Sequence, residues 1–201
     1  AGLALGTKYT AGILLIAGIF VILSDVKILH WRSIGIAMFL FGVYAVSVML
    51  PWLGKNFLAT GNPFYPSFFP SGAMDEFRLD FLQKNVASRT WIESIVLPWL
   101  ATVWGVEGKV GFSASIGPLL LGLSPLALVN WNERPQRQKN TIRVAAIVTM
   151  VGLVAWAIAS HEAVLLIQSR LYFAMFPAWA ILSGIGFSTL GGLNFQGIRF
   201  G

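Results

Sequence analysis

Five stretches of this chain, residues 1–23, 33–50, 113–130, 142–159 and 171–190, run for about 18 to 23 residues with almost no charge. That is the length an α-helix needs to cross about 30 Å of hydrocarbon at about 1.5 Å per residue. Lipid offers no water to a backbone, so such a stretch must satisfy its own N–H and C=O groups. A helix does this within one segment. A barrel needs strands that alternate with period two, and no such alternation runs through the sequence. The pattern predicts an all-α fold: a polytopic transmembrane helix bundle of five spans forming a single membrane domain over 1–201. Composition agrees, with 56% of residues apolar and 11% charged, against about 25% charged in an average soluble domain. A soluble fold of this size leaves about a third of its unfolded surface exposed and could not hide so much apolar area. An ordinary cytosolic enzyme and a disordered chain are both excluded.

The formal charge of +6, from 14 basic and 8 acidic side chains, is explained by where the basic residues fall. Membrane proteins concentrate Lys and Arg in short cytoplasmic loops, so no nucleic-acid partner is expected. The short connection 24–32 carries Lys27 and Arg32; 131–141 carries Arg134, Arg137 and Lys139; the tail carries Arg199. The long connection 51–112 balances five basic against five acidic residues. This places 24–32, 131–141 and the tail in the cytoplasm, and 51–112 and 161–170 outside. Five alternating spans satisfy that arrangement with the N-terminus outside. The chain opens inside an apolar run with no Met, no basic leader and no small-residue cleavage site, so a fragment of a longer chain is expected. With no cysteine there is no disulfide, thiol nucleophile or Cys-bound metal.

The long connection carries its own structure. Residues 73–87 place Met74, Phe77, Phe81 and Leu82 at the spacing of one helical face, with Asp75, Glu76, Asp80 and Lys84 elsewhere. This predicts an amphipathic helix on the extracytoplasmic surface. Residues 91–105 are apolar but short, hold Glu93 and Pro98, and are rich in Trp. They read as an interfacial or re-entrant helix, with a tilted sixth span as the alternative. Pro118 suits the first turn of a helix, and Pro125 predicts a kink within the third span. Pro51, Pro63 and Pro66 around Gly61 and Asn62 predict that the second span closes at Pro51 into an extended exit.

Candidate binding residues are the cations at the expected outer ends of spans. Lys8 lies within an apolar run, where an ammonium costs about 2.5–3.5 kcal/mol at mid-helix unless it meets an anion or water. It either contacts an anionic headgroup or snorkels to the surface. Lys55, with Asn56 beside it, follows the second span and could line an extracytoplasmic cavity. Arg170 opens the fifth span, where a guanidinium can clamp a phosphate or anchor the helix at the interface. Asp75 and Glu76 are the one adjacent acidic pair; they could serve as a general base or hold a divalent cation, or simply complement the dipole at a helix start. His30 and His161 fall on opposite sides of the membrane, so no metal site is expected from them.

Five segments, GLALGTKYT (2–10), PWLGKNFLATGNPFYP (51–66), LPWLATVWGVEG (97–108), SIGPLLLGLSPL (115–126) and SRLYFAMFPAWAIL (169–182), occur in this order. The set resembles the later half of bacterial GT-C membrane glycosyltransferases, the polyprenyl-phosphate-sugar-dependent relatives of protein O-mannosyltransferases and aminoarabinose transferases. The resemblance implies an enzyme of the bacterial inner membrane that moves a sugar from a polyprenyl-phosphate donor on the extracytoplasmic side. It would place Lys8, Lys55 and Arg170 near the donor phosphate. The essential acid of that family usually lies in its first extracytoplasmic loop, a region without a counterpart in this sequence, and so the catalytic residue is left unassigned. The alternative is a non-catalytic multi-span subunit of a larger membrane complex, with lipid or pigment in its helix grooves.

Overall fold

The structure, a computed structural model, describes residues 2, 9–24, 31–65, 90–103, 116, 118–162 and 164–190. Lys8, His30, Asp75, Glu76 and the expected amphipathic helix 73–87 lie outside the described residues. Six α-helices follow in chain order: α1 (Ile13–Ser24), α2 (Trp31–Thr60), α3 (Trp91–Val103), α4 (Pro118–Leu123), α5 (Gln136–Glu162) and α6 (Phe176–Leu190). Tighter 3₁₀ turns cover Tyr9–Gly12, Ser124–Leu128, Trp131–Glu133, Val164–Ile167 and Ser169–Met175. Among the described residues every regular element is a helix. The protein is an all-α membrane bundle. Three of its helical stretches, Trp31–Thr60, Gln136–His161 and Ser169–Leu190, are long and apolar enough to cross a bilayer. Two shorter apolar helices, Ile13–Ser24 and Pro118–Leu128, coincide with parts of the expected first and third spans.

The helix α2 departs from the sequence expectation. It does not close at Pro51 but continues for 30 residues to Thr60. Proline removes one backbone donor and crowds the carbonyl four residues earlier. The helix nevertheless continues, and its far end is capped. Gly61 adopts φ +72°, where a side chain would be strained, and its N–H bonds Phe57 O at 2.8 Å. The Thr60 hydroxyl donates to Asn56 O at 2.9 Å, and the Asn62 N–H donates to that hydroxyl at 3.2 Å. Asn62 Oδ1 accepts from Phe64 N–H at 2.9 Å, an Asx turn. The turn, rather than the proline, stops the helix.

The core is an antiparallel hairpin of α5 and the 169–190 stretch. At one end Ile142 and Ala145 of α5 pack with Leu182 of α6 and Ala127. At the other, Trp156 of α5 packs with Tyr172, Met175 and Trp179, joined by Ile13 of α1 and by Leu97 and Ala101 of α3. The link between them is bonded internally: Trp156 Nε1 donates to Ile167 O at 2.8 Å, and the Tyr172 hydroxyl donates to Leu166 O at 2.9 Å.

The α4 region wedges against α6. Pro118 opens the helix as expected, and the chain tightens to a 3₁₀ turn at Ser124–Leu128, which contains Pro125. A proline cannot donate to the carbonyl four residues back, so the tightening falls there. This tightening brings backbone to backbone: a Cβ on Gly186 would collide with Leu123 O. Trp179 Nε1 donates to Ser124 Oγ at 3.1 Å, and Ser183 Oγ donates to Leu120 O at 3.0 Å. Such bonds count in a membrane, where small residues and polar links, not apolar burial, hold helices together.

Candidate functional site

The 161–170 connection gathers the polar groups of one end of the hairpin. Arg170 is exposed in the first turn of Ser169–Met175. Its Nε donates to Gln168 Oε1 at 2.6 Å, a bond that fixes the guanidinium plane and leaves the two terminal nitrogens directed away from that contact. A planar fork held this way is suited to a phosphate or carboxylate. His161, near the end of α5, stacks on Trp91 of α3 with ring centroids 3.8 Å apart and planes at 18°. Its Nδ1 is buried with no hydrogen-bond partner among the described residues.

Helix α3 is placed by a motif that the sequence reading passed over. Thr90 N–H donates to Glu93 Oε2 at 3.0 Å, and Glu93 N–H donates to Thr90 Oγ1 at 3.3 Å. This reciprocal capping box, legible as Thr-x-x-Glu, satisfies two otherwise orphaned donors. It explains why an acid sits in an apolar segment and engages Glu93 in structure rather than chemistry. The described part of α3 has 13 residues, about 20 Å of rise. It buries Ser94, Leu97 and Ala101 and exposes Trp91, Ile92, Ile95 and Trp99.

Lys55 lies on the continuation of α2 beyond Pro51. Its Nζ sits 4.9 Å from the Trp52 ring centroid, a cation–π contact. Asn56 is buried and donates through Nδ2 to Pro63 O at 3.3 Å, tying the Gly61–Tyr65 turn back onto the helix. Helix α2 packs chiefly against α1, whereas 169–175 packs against α5, α6, α1 and the Tyr9–Gly12 turn. Among the described residues no group of three or more His, Asp or Glu side chains is placed to hold a metal ion.

At the opposite end of the hairpin, Arg134 has a structural task that loop charge alone did not reveal. Its Nε donates to Val129 O at 3.2 Å and its NH2 to Thr189 Oγ1 at 2.8 Å, fastening the 124–134 connection to the end of α6. Lys139 Nζ donates to Asn132 O at 3.0 Å. A mainly apolar groove of about 710 Å³ runs between α1 and α5, bounded by Phe20, Met150, Val154 and Ile158, with Ser24 its one polar lining residue. Compared with known proteins, the chain matches no family model, no curated protein and no solved structure.

Proposed function

We propose that this chain is the membrane-embedded later part of a GT-C-like glycosyltransferase, taking a sugar from a polyprenyl-phosphate donor on the extracytoplasmic face of a bacterial inner membrane. The observation that carries the reading is Arg170: an exposed guanidinium, oriented by Gln168, at the mouth of a membrane-spanning hairpin. The sequence resemblance supplies the donor class. Transfer from a phosphate-linked sugar leaves negative charge on the departing phosphate, and a pre-oriented cation stabilises that charge as it develops. Lys55, and Lys8 from the apolar N-terminal run, are the further cations for the same task. The acceptor's base is not assigned to a described residue.

The test uses the intact protein in membrane vesicles, supplied with a radiolabelled polyprenyl-phosphate sugar. Arg170→Ala should lower transfer by about 10²- to 10³-fold, the usual cost of removing one charge-stabilising donor. Arg170→Lys should recover part of it, keeping the charge but not the fork. Unchanged transfer in Arg170→Ala would remove the residue on which the reading rests.

A second reading, a non-catalytic subunit of a larger membrane assembly, is favoured by α2. Its most apolar 18-residue window is only 17% buried, which leaves most of its surface for lipid, pigment or helices of other subunits. Stable co-purification of other membrane chains, lost when Leu40 and Tyr44 on its exposed surface are changed to Ala, would support that reading over the first.

A further inference from the structure

A second groove, of about 580 Å³, lies between α5 and the 174–181 stretch, with Leu14 of α1 beside it, and differs from the first in having a cation and two further polar groups at one end. Helix α5 lines it with Arg137, Asn140, Thr141, Val144 and Val148. These positions fall at intervals of three and four along one helical face. The facing wall is Ala174, Pro177 and Ile181. The wall therefore changes character along its length: a guanidinium, an amide and a hydroxyl at the mouth, then only hydrocarbon.

Three features identify what such a groove takes. The first is length. Arg137 to Val148 is about 16 Å of helix rise, close to the ~15 Å that one leaflet contributes to a hydrocarbon core. The second is charge. Arg137 is exposed, and among the described residues no hydrogen bond or ion pair engages its guanidinium; only its backbone carbonyl is used, by the Thr141 hydroxyl at 3.1 Å. The third is donor supply. Gln136 Nε2 donates to Asn140 Oδ1 at 2.9 Å, which fixes the amide and leaves its NH₂ group as a donor beside Arg137. A free phosphate would fill only the mouth, and a zwitterionic lipid would bring an ammonium of its own up against the guanidinium.

We infer that this groove is a binding site for one anionic glycerophospholipid, its phosphate at Arg137 and Asn140 and one acyl chain lying along Val144, Val148, Pro177 and Ile181. The site lies at the other end of α5 from Arg170 and does not depend on the transferase reading. A lipid seated there bridges the two arms of the hairpin just below the loop that Arg134 fastens.

The experiment is native mass spectrometry of the full chain released from detergent after equilibration with phosphatidylglycerol and phosphatidylcholine of identical acyl chains. The wild type should retain the anionic lipid about fivefold over the neutral one, the preference that one juxtamembrane cation commonly confers. Arg137→Gln should bring that ratio to about one. Lys139→Gln removes the same charge from the same surface but from outside the groove, and should leave the ratio unchanged. Val144→Trp, a change at an exposed position that fills the groove, should reduce retention of both lipids while circular dichroism reports an intact helix content. Equal retention of the two lipids by the wild type would overturn the inference. So would an equal loss of preference in Arg137→Gln and Lys139→Gln, which would mean diffuse surface charge. A Val144→Cys protein that forms an intermolecular disulfide in the membrane would overturn it too, by showing that a second copy fills the groove.

Discussion

The contact between α6 and the Ser124–Leu128 turn should fail on the addition of a single methyl group at Gly186. A Cβ built there meets Leu123 O at overlapping distance, with Leu123 C at 2.9 Å and Ala127 N at 3.3 Å. All three obstacles are backbone atoms, so no side chain can rotate away; the helix or the turn must move as a body. Overpacking of this kind costs about 1–3 kcal/mol. Any withdrawal of α6 also stretches two bonds across the same contact, Trp179 to Ser124 and Ser183 to Leu120. In membranes such side-chain links average about 0.6 kcal/mol each. Gly186→Ala should therefore destabilise the bundle by about 2–4 kcal/mol. Gly184 provides the internal control. It lies two residues away in the same helix and has nothing within 4 Å of an added Cβ, so Gly184→Ala should be neutral. Both variants would be unfolded from mixed micelles with increasing SDS and followed by tryptophan fluorescence. Equal stabilities within about 0.5 kcal/mol, the margin within which surface substitutions usually fall, would refute the close backbone approach.

Thr90→Ala should remove the hydroxyl half of the capping box, leaving the residue 90 backbone N–H to Glu93 in place, and cost about 1 kcal/mol, seen as faster amide exchange confined to the first turn of α3; Thr90→Ser should restore protection. Trp156→Phe keeps the packed ring but orphans Ile167 O, which should destabilise the protein by about 1–3 kcal/mol in the same SDS titration. Single cysteines at Leu58, which is 87% exposed, and at Asn132 should be labelled by an impermeant maleimide from opposite faces of the membrane; labelling from one face would break the loop-charge orientation.

The hairpin of α5 and α6 was legible because its two apolar runs are bounded by charge on one side and by His161 to Arg170 on the other. What periodicity could not supply was the end of α2. Proline is the loudest breaker in a sequence, and Pro51 masks the quieter capping group of Thr60, Gly61 and Asn62 that stops the helix nine residues later. At Pro125 the chain tightens into a 3₁₀ turn, a local change that the proline itself marks. The uses of Arg134 and Glu93 were hidden for a different reason. A charge in a loop looks solvated until the neighbouring chain is in place, and Val129 and Thr189 come together only through the tertiary fold. The Thr90–Glu93 pairing, by contrast, is local and was available from spacing alone. Of the candidate cations, Arg170 emerged with an orienting partner and Lys55 with an aromatic one; neither contact follows from hydropathy, which records only that a charge ends an apolar run.

The continuation of α2 through Pro51 turns it into a ruler. Trp31 opens the helix and Trp52 follows Pro51, 21 positions later, a rise of about 31 Å. Tryptophans favour the boundary between headgroups and tails, so this pair brackets one hydrocarbon thickness with the helix nearly upright. A bilayer much thinner would have to stretch locally or tilt the helix, at fractions of a kcal/mol per Å. The residues beyond Trp52 then project as a rigid post, lifting Lys55 to the height of the lipid phosphates and holding the Gly61–Tyr65 turn above them.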